Sequence, residues 1–336
     1  MNFDLSDEQR EIKDTARQFL SARFKPEKVR ELAESRSYDD ALWKEIAELG
    51  WPGIAIPDES GGQGLGTVEL MLLCEELGYA CAPTPFLSNA IAGLVIADGG
   101  SDEQRGRWLP GIASGEALGA AALDPEQPAL VADAGRASVL LLPDGDQGVL
   151  VEPGDAEIEP LELIDATRSF ARVSASGGEP LPVETGMHRA MVALAGELTG
   201  LGQRAMEMAV EYAREREQFG RPIGAYQAVS HRCAGMLYDV EEARSLTYYA
   251  AWCADAEPES LPLAAHMAKA RASEAAWSVT SAALQVFGGI GFTWEHDLQF
   301  WLKRARVDRQ LLGGPGQHRE RVAELAGLGA AEPAAV

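Results

Sequence analysis

A chain of 336 residues is longer than a single hydrophobic core organises well, so two or three packed modules are expected. Hydrophobic residues make up 46% and charged residues 24%, the balance of a soluble globular protein. With 52 acidic against 29 basic residues the formal charge is −23, which excludes a broad nucleic-acid or anionic-membrane surface but leaves room for a local cationic spot that holds one phosphate group.

The opening MNFDLSDEQREIK has neither a basic start nor an apolar run, so no signal peptide and a cytoplasmic location are expected. Residues 1–115 read as a helical N-terminal domain. Ser6 with Gln9 is a capping-box start ahead of Ile12, Ala16, Phe19 and Leu20 on one helix face. YDDALWKEIAELG is a second helix, ended by Gly50, and GTVELMLLCEELGYA a third. Between them Gly62, Gly64 and Gly66 have the spacing of a phosphate loop. No strand follows to complete a βαβ unit and no Lys-Ser/Thr ending is present, so a loop before a helix is the reading. The longest uncharged run, Leu77 to Ala97, contains Pro83, Pro85, Ser88 and Asn89 and does not have the composition of a membrane span. Cys74, Cys81, Cys233 and Cys253 form no CxxC pair and have no histidine cluster beside them, which makes them buried thiols and not metal ligands.

Residues 116–186 change character to a shortened β domain. SVLLLPDGDQGVLVEPGD reads as two strands around the turn Asp144-Gly145-Asp146, and SFARVSASGG as another. Residues 187–330 are again helical. Leu194, Leu198, Leu201, Ala205, Met208 and Tyr212 recur at helical spacing, as do Val229, Cys233, Met236, Val240 and Ala243, and such stripes are the seams of a helix bundle. The tail 331–336 is expected to be disordered.

Two stretches carry more than packing. In YAREREQFGRPIGAYQAV, Arg214, Arg216 and Arg221 gather positive charge beside Phe219, Gln218 and Gln227. That mixture suits a dinucleotide, with guanidinium for pyrophosphate and aromatic surface for the rest, although arginines at a helix end also complement its dipole. In LQVFGGIGFTWEHDLQFW, Gly288, Gly289 and Gly291 exceed what one helix cap needs, and close approach of backbone to a ligand accounts for the surplus.

Together with FDLSDEQREIKDTARQFL, LWKEIAELGWPGIAIPDESGGQGLG and SDEQRGRWLPGIASGE, these stretches resemble the acyl-CoA dehydrogenase family in order and spacing over most of the chain. The resemblance implies an α+β, mainly α fold: a helical N-terminal domain, a β middle domain and a C-terminal four-helix bundle. It also implies FAD as cofactor and oxidation of the Cα–Cβ bond of acyl-CoA thioesters, with a Glu removing the α-proton. Arg216, Gln218 and Phe219 would face pyrophosphate, and Gln227, Gln285, Gly288 and Gly289 the adenosine end.

The sequence departs from the family in three places. The family stretch RDAKIYQIYEGTSQIQR, laid from Trp294-Glu295, puts Leu312 at the catalytic Glu, and a one-residue slip puts Gly313 there. The alternative base position, early in the long helix after the β domain, falls on Ala190. None of the three accepts a proton. In the β domain LGAAALDPEQPALVAD replaces the family's flavin-ring stretch, and no W-I-T-N-like strand follows. The pattern is similar to the short subunits of α2β2 acyl-CoA dehydrogenases of steroid side-chain degradation, in which a catalytic partner subunit would supply the Glu and the ring pocket. Two other readings stand beside it. One is a self-sufficient flavoenzyme with another base, from Glu197, Glu295, His296, Asp297 or His318. The other is a non-catalytic assembly protein.

Overall fold

The structure is a computed structural model that describes residues 4–122, 129–145 and 147–328. Six helices open the chain: α1 (Asp7–Arg23), α2 (Pro26–Ser35), α3 (Asp40–Glu48), α4 (Thr67–Ala80), α5 (Phe86–Gly99) and α6 (Asp102–Ser114). The capping box expected at Ser6 is present, with Gln9 N bonded to Ser6 Oγ and Ser6 N to Gln9 Oε1. Ser101 and Gln104 repeat the device at α6. Gly62 sits in a loop whose turn packs on Ile56: a methyl group there would stand 2.0 Å from Ile56 O, so close packing and not phosphate explains that glycine. The apolar run from Leu77 is split by the prolines into the end of α4 and a buried α5.

The middle of the chain forms two small sheets. β1 (Gly119–Ala121), β3 (Val139–Asp144), β4 (Gln147–Val151) and β7 (Glu179–Leu181) make one, in that order. β2 (Leu130–Ala132), β6 (Phe170–Ala175) and β5 (Ala156–Leu161) make the other. The hairpin expected around Asp144 pairs Asp144 with Gln147, though Asp146 lies outside the described residues, as do LDPEQP (123–128) and the tail 331–336.

Three long helices follow: α7 (Glu184–Glu215), α8 (Gln227–Ala256) and α9 (Leu261–Phe287), joined at one end by a short hairpin of β8 (Glu217–Gln218) and β9 (Arg221–Pro222). Two short helices, α10 (Leu298–Asp308) and α11 (Pro315–Leu325), pack along α9. By length and composition the segment Pro258–Phe292 could cross a membrane; here it packs between α7 and α8. The stripe residues Leu194, Leu198, Leu201 and Ala205 are fully buried, which is the seam their spacing predicts. All four cysteines are free thiols, Cys233 half-buried and the rest buried.

Glycine sets the closest helix contact. A methyl group on Gly196 or Gly200 of α7 would collide with Met71 O or Glu75 O of α4, and one on Gly78 of α4 with Glu197 O. These two helices therefore meet backbone to backbone, which holds the α7 segment around Glu197 deep in the molecule.

Candidate functional site

The nucleotide-binding candidates gather at one end of the bundle. After α7 the hairpin turns through Phe219 (φ +52°) and Gly220 (φ +77°), a two-residue loop with both residues left-handed, whose twist matches paired strands. The turn leaves the Phe219 ring 93% exposed. Arg216 is fixed by its backbone, N to Tyr212 O and O from Ile223 N, both at 2.8 Å, while its guanidinium makes no ion pair among the described residues. Gln218 Nε2 folds back on Glu217 O, and Gln218 O accepts from Tyr226 Oη at 3.0 Å, just before Gln227 opens α8.

The end of α9 joins this group through Tyr212 and Phe287, whose ring centroids are 4.8 Å apart. Gln285 is exposed there. Gly288 ends the helix at φ +62°, ψ −136°, a conformation closed to residues with a Cβ and different from the left-handed cap expected of it. Methyl groups on Gly288 and Gly289 would meet no atom within 4 Å. An unpaired guanidinium, an exposed ring and bare backbone facing open space are the donor set and room that a pyrophosphate and its nucleoside require.

A second feature lies elsewhere. A cavity of about 250 Å³ is lined by Leu87 and Ile91 of α5, Ala121 of β1, Ala132 of β2, Arg168, and Leu312 of the loop between α10 and α11. None of the seven nucleotide candidates lines it, and neither does any Asp, Glu, His, Cys or Tyr among the described residues. Leu312 is buried at φ +59°, a strained conformation for leucine, followed by Gly313 at φ +98°. The loop is held from behind: Gly313 O accepts from Lys269 Nζ at 3.2 Å and lies 3.1 Å from His318 Nε2. Ala190 is fully buried in the main core of α7 and does not reach the cavity.

The other proposed bases stand away from the cavity. Glu197 is 3% exposed, and its Oε1 accepts from both Arg168 and Arg304. His318 is tied to His266 and to the loop. Arg30 grips the carbonyls of Trp294 and Glu295 together with Asp297, and the His296 ring packs on Phe287 at 4.1 Å.

Beneath the cavity runs a buried ionic network that sequence reading did not find. Arg168 bonds Glu197 of α7 and Asp308 of α10. Arg304 of α10 bonds Thr167 Oγ1, Thr167 O and Ala82 O, with Glu197 Oε1 at 3.3 Å and Asp165 Oδ2 at 3.8 Å. Burial pushes Asp308 up to about 7 against the pull of Arg168, and pushes the Cys81 thiol up to about 12. Its members come from four separate segments, with Arg168 140 residues from Asp308 and Glu197 107 residues from Arg304, so no local pattern announces it.

A helical N-terminal domain, a small β module and a C-terminal helical bundle define the acyl-CoA dehydrogenase fold. The family models for the acyl-CoA dehydrogenase N-terminal domain and C-terminal domain match residues 6–116 and 182–326. The chain belongs to the acyl-CoA dehydrogenase family. It is 32% identical to acyl-CoA dehydrogenase IpdE2 of Mycobacterium tuberculosis over 94% of this chain and 96% of that one, and 33% identical to IpdE2 of Mycolicibacterium smegmatis over 95% and 98%. Among solved structures it superposes on a variant of the Tcur3481-Tcur3483 steroid ACAD with a TM-score of 0.89 at 27% identity, covering 96% of this chain and 98% of that one. It also superposes on the ChsE4-ChsE5 complex of Mycobacterium tuberculosis with a TM-score of 0.90 at 25% identity, covering 98% and 100%. The two family models leave residues 117–181, the β module, between them.

Proposed function

We propose that this chain is the non-catalytic subunit of a heteromeric, FAD-dependent acyl-CoA dehydrogenase. It contributes the pyrophosphate and adenosine half of the FAD site, and a partner subunit of the same family contributes the catalytic Glu and the flavin-ring pocket. The observation that carries this reading is the separation of the two halves within one chain. From Glu197, which anchors the network under the cavity, to Arg216 at the nucleotide end, α7 runs 19 residues, about 28 Å at 1.5 Å per residue. The cavity end bears Leu312, followed by Gly313, the two positions to which the family resemblance assigns the base. Heteromeric assembly is supported by the likeness to the ChsE4-ChsE5 complex.

At such a site Arg216 would bond pyrophosphate oxygens, Phe219 and Gln218 would cover the diphosphate, and the bare backbone at Gly288 and Gly289 would let the nucleoside approach, with Gln227 and Gln285 at its edge. When FAD is bound, the chemistry it supplies is acceptance of a hydride from the acyl β-carbon. The substrate class is an acyl-CoA thioester, and the steroid ACAD named above favours one with a polycyclic acyl group. The complex would act in the cytoplasm.

The test is expression of the chain alone and together with a family member that carries an intact Glu. Alone it should hold little FAD and oxidise no acyl-CoA; together they should co-purify as a yellow, active α2β2 complex. A yellow, acyl-CoA-oxidising homo-oligomer would overturn the reading in favour of a self-sufficient enzyme.

A further inference from the structure

The hairpin that carries Arg216, Gln218 and Phe219 is too short to hold itself. Its register pairs Glu217 with Pro222 and Gln218 with Arg221, and Pro222 has no N–H to give to the ladder. The turn nevertheless keeps Phe219 in a left-handed conformation with its ring almost wholly in solvent. Contacts from outside the strands must fix it.

Tyr226 supplies them from the start of α8. Its Oη donates to Gln218 O at 3.0 Å. Its ring meets the Phe219 ring edge to face, with centroids 6.4 Å apart and an interplanar angle of 86°. The Arg221 guanidinium lies over the same ring, 4.1 Å from its centroid. One side chain thus touches three residues of the turn. Tyr226 occupies the N-cap of α8 and makes no side-chain capping bond there. Ser, Thr, Asn or Asp would cap the helix better, so the tyrosine serves the hairpin and not the helix.

The contact also places a second cation. Gln218 and Arg221 are direct cross-strand partners, so their side chains leave one face of the hairpin, and Arg216, two residues before Gln218, leaves the same face. Neither Arg216 nor Arg221 makes an ion pair among the described residues. A diphosphate diester carries two negative charges at neutral pH, and Arg216 balances one of them. A guanidinium laid on an aromatic face keeps its N–H groups directed outward in its own plane. It therefore loses less freedom on meeting a phosphate oxygen than one loose in solvent.

We propose that Arg221, held on the ring of Tyr226, is the second cation of the diphosphate site, with Tyr226 as its positioning residue. This rests on the reading of the bundle end as half of a FAD site, and it adds to that half two residues that Arg216, Gln218 and Phe219 do not cover.

FAD titrated into the apo complex at low and raised salt, with apo-protein melting alongside, tests it. Arg221→Gln should weaken FAD about tenfold and flatten the salt dependence, while the melting temperature holds because the side chain is exposed. Arg221→Lys should recover part of the loss. Tyr226→Leu leaves Arg221 present without its support and should weaken FAD by a similar factor. The double variant Arg221→Gln/Tyr226→Leu should lose less than the product of the two, since one contact is shared. Tyr226→Phe, which loses only the bond to Gln218 O, tests the hydroxyl by itself should Leu disturb folding, and a loss of FAD affinity is expected there too. Losses that multiply, or unchanged affinity in both Tyr226 variants, would overturn the positioning role. If Arg216→Ala weakens FAD and Arg221→Gln does not, the half-site stands and this inference falls; if neither does, both fall.

Discussion

His266 and His318 meet Nδ1 to Nδ1 at 2.8 Å, and that contact fixes both tautomers. His318 Nε2 faces Gly313 O and must donate, so its Nδ1 accepts and His266 Nδ1 donates. Both rings are neutral in this arrangement. A proton added to His318 Nδ1 would set two donors against each other and release α11 from α9.

Burial lowers His318 to about 3 and His266 to about 4, with Lys269 facing the first, and His188 and Arg321 facing the second. Glu184 faces His188 from the start of α7. Histidines held neutral bind fewer protons folded than unfolded. Their stabilisation is therefore complete above about pH 6.5 and is lost as pH falls toward 4. For His318 the expected loss between pH 6.5 and 5 is about 1–2 kcal/mol. Thermal unfolding of wild type against His318→Gln, which keeps a donor and an acceptor but does not titrate, should show the slope flattened in the variant. Parallel curves would mean that His318 is not the titrating group.

Arg216→Ala should weaken FAD binding to the assembled complex about ten- to a hundredfold, the effect of losing one charge-assisted bond to phosphate. The thermal stability of the apo chain should not change, because the guanidinium pairs with nothing among the described residues. FAD titration and apo-protein melting, measured together, check both halves.

Gly289→Ala isolates backbone approach. Its φ is not in the left-handed region and a methyl group there meets no protein atom, so folding should change by less than about 0.5 kcal/mol. A nucleoside lying against that backbone would nevertheless meet the methyl. FAD affinity should fall while the melting temperature holds; unchanged affinity would place the ligand elsewhere.

Leu312→Glu, with Gly313→Glu to cover the register, should leave turnover per complex unchanged, and flavin analysis should find two FAD per tetramer. A base needs the substrate α-carbon within hydrogen-bond reach and the flavin beside the β-carbon, and a Glu in the cavity meets only the first need. Leu312→Glu should also lower stability, because it puts a carboxylate among Leu87, Ile91 and Arg168, whose charge is already taken. Doubled turnover, or four FAD, would show a complete cofactor site in this chain.

Much of the architecture was legible because it is local. The Ser6–Gln9 cap, the Leu194–Ala205 seam and the strands around Asp144 follow from patterns a few residues long, and the structure has each of them. The glycines show the limit of such patterns. Gly288 looks like an ordinary cap, yet its ψ of −136° turns the chain away from the left-handed cap geometry and leaves the backbone bare. Gly62 reads from the sequence as part of a loop before a helix, and the structure adds that it packs against Ile56.

Family and bundle could be named from the sequence by itself, because periodicity and motif order are written along the chain. Tertiary structure alone decided that Gly288 and Gly289 present bare backbone at the end of the bundle where Arg216, Gln218, Phe219, Gln227 and Gln285 are exposed, that Leu312 lines a cavity to which none of these contributes, and that Asp308 meets Arg168 in a buried network. The physical reason is range. Helix caps and seams depend on neighbours within a turn or two, whereas the exposure of a ring, the emptiness of a cavity and the charge balance of a network depend on which distant segments fold against one another.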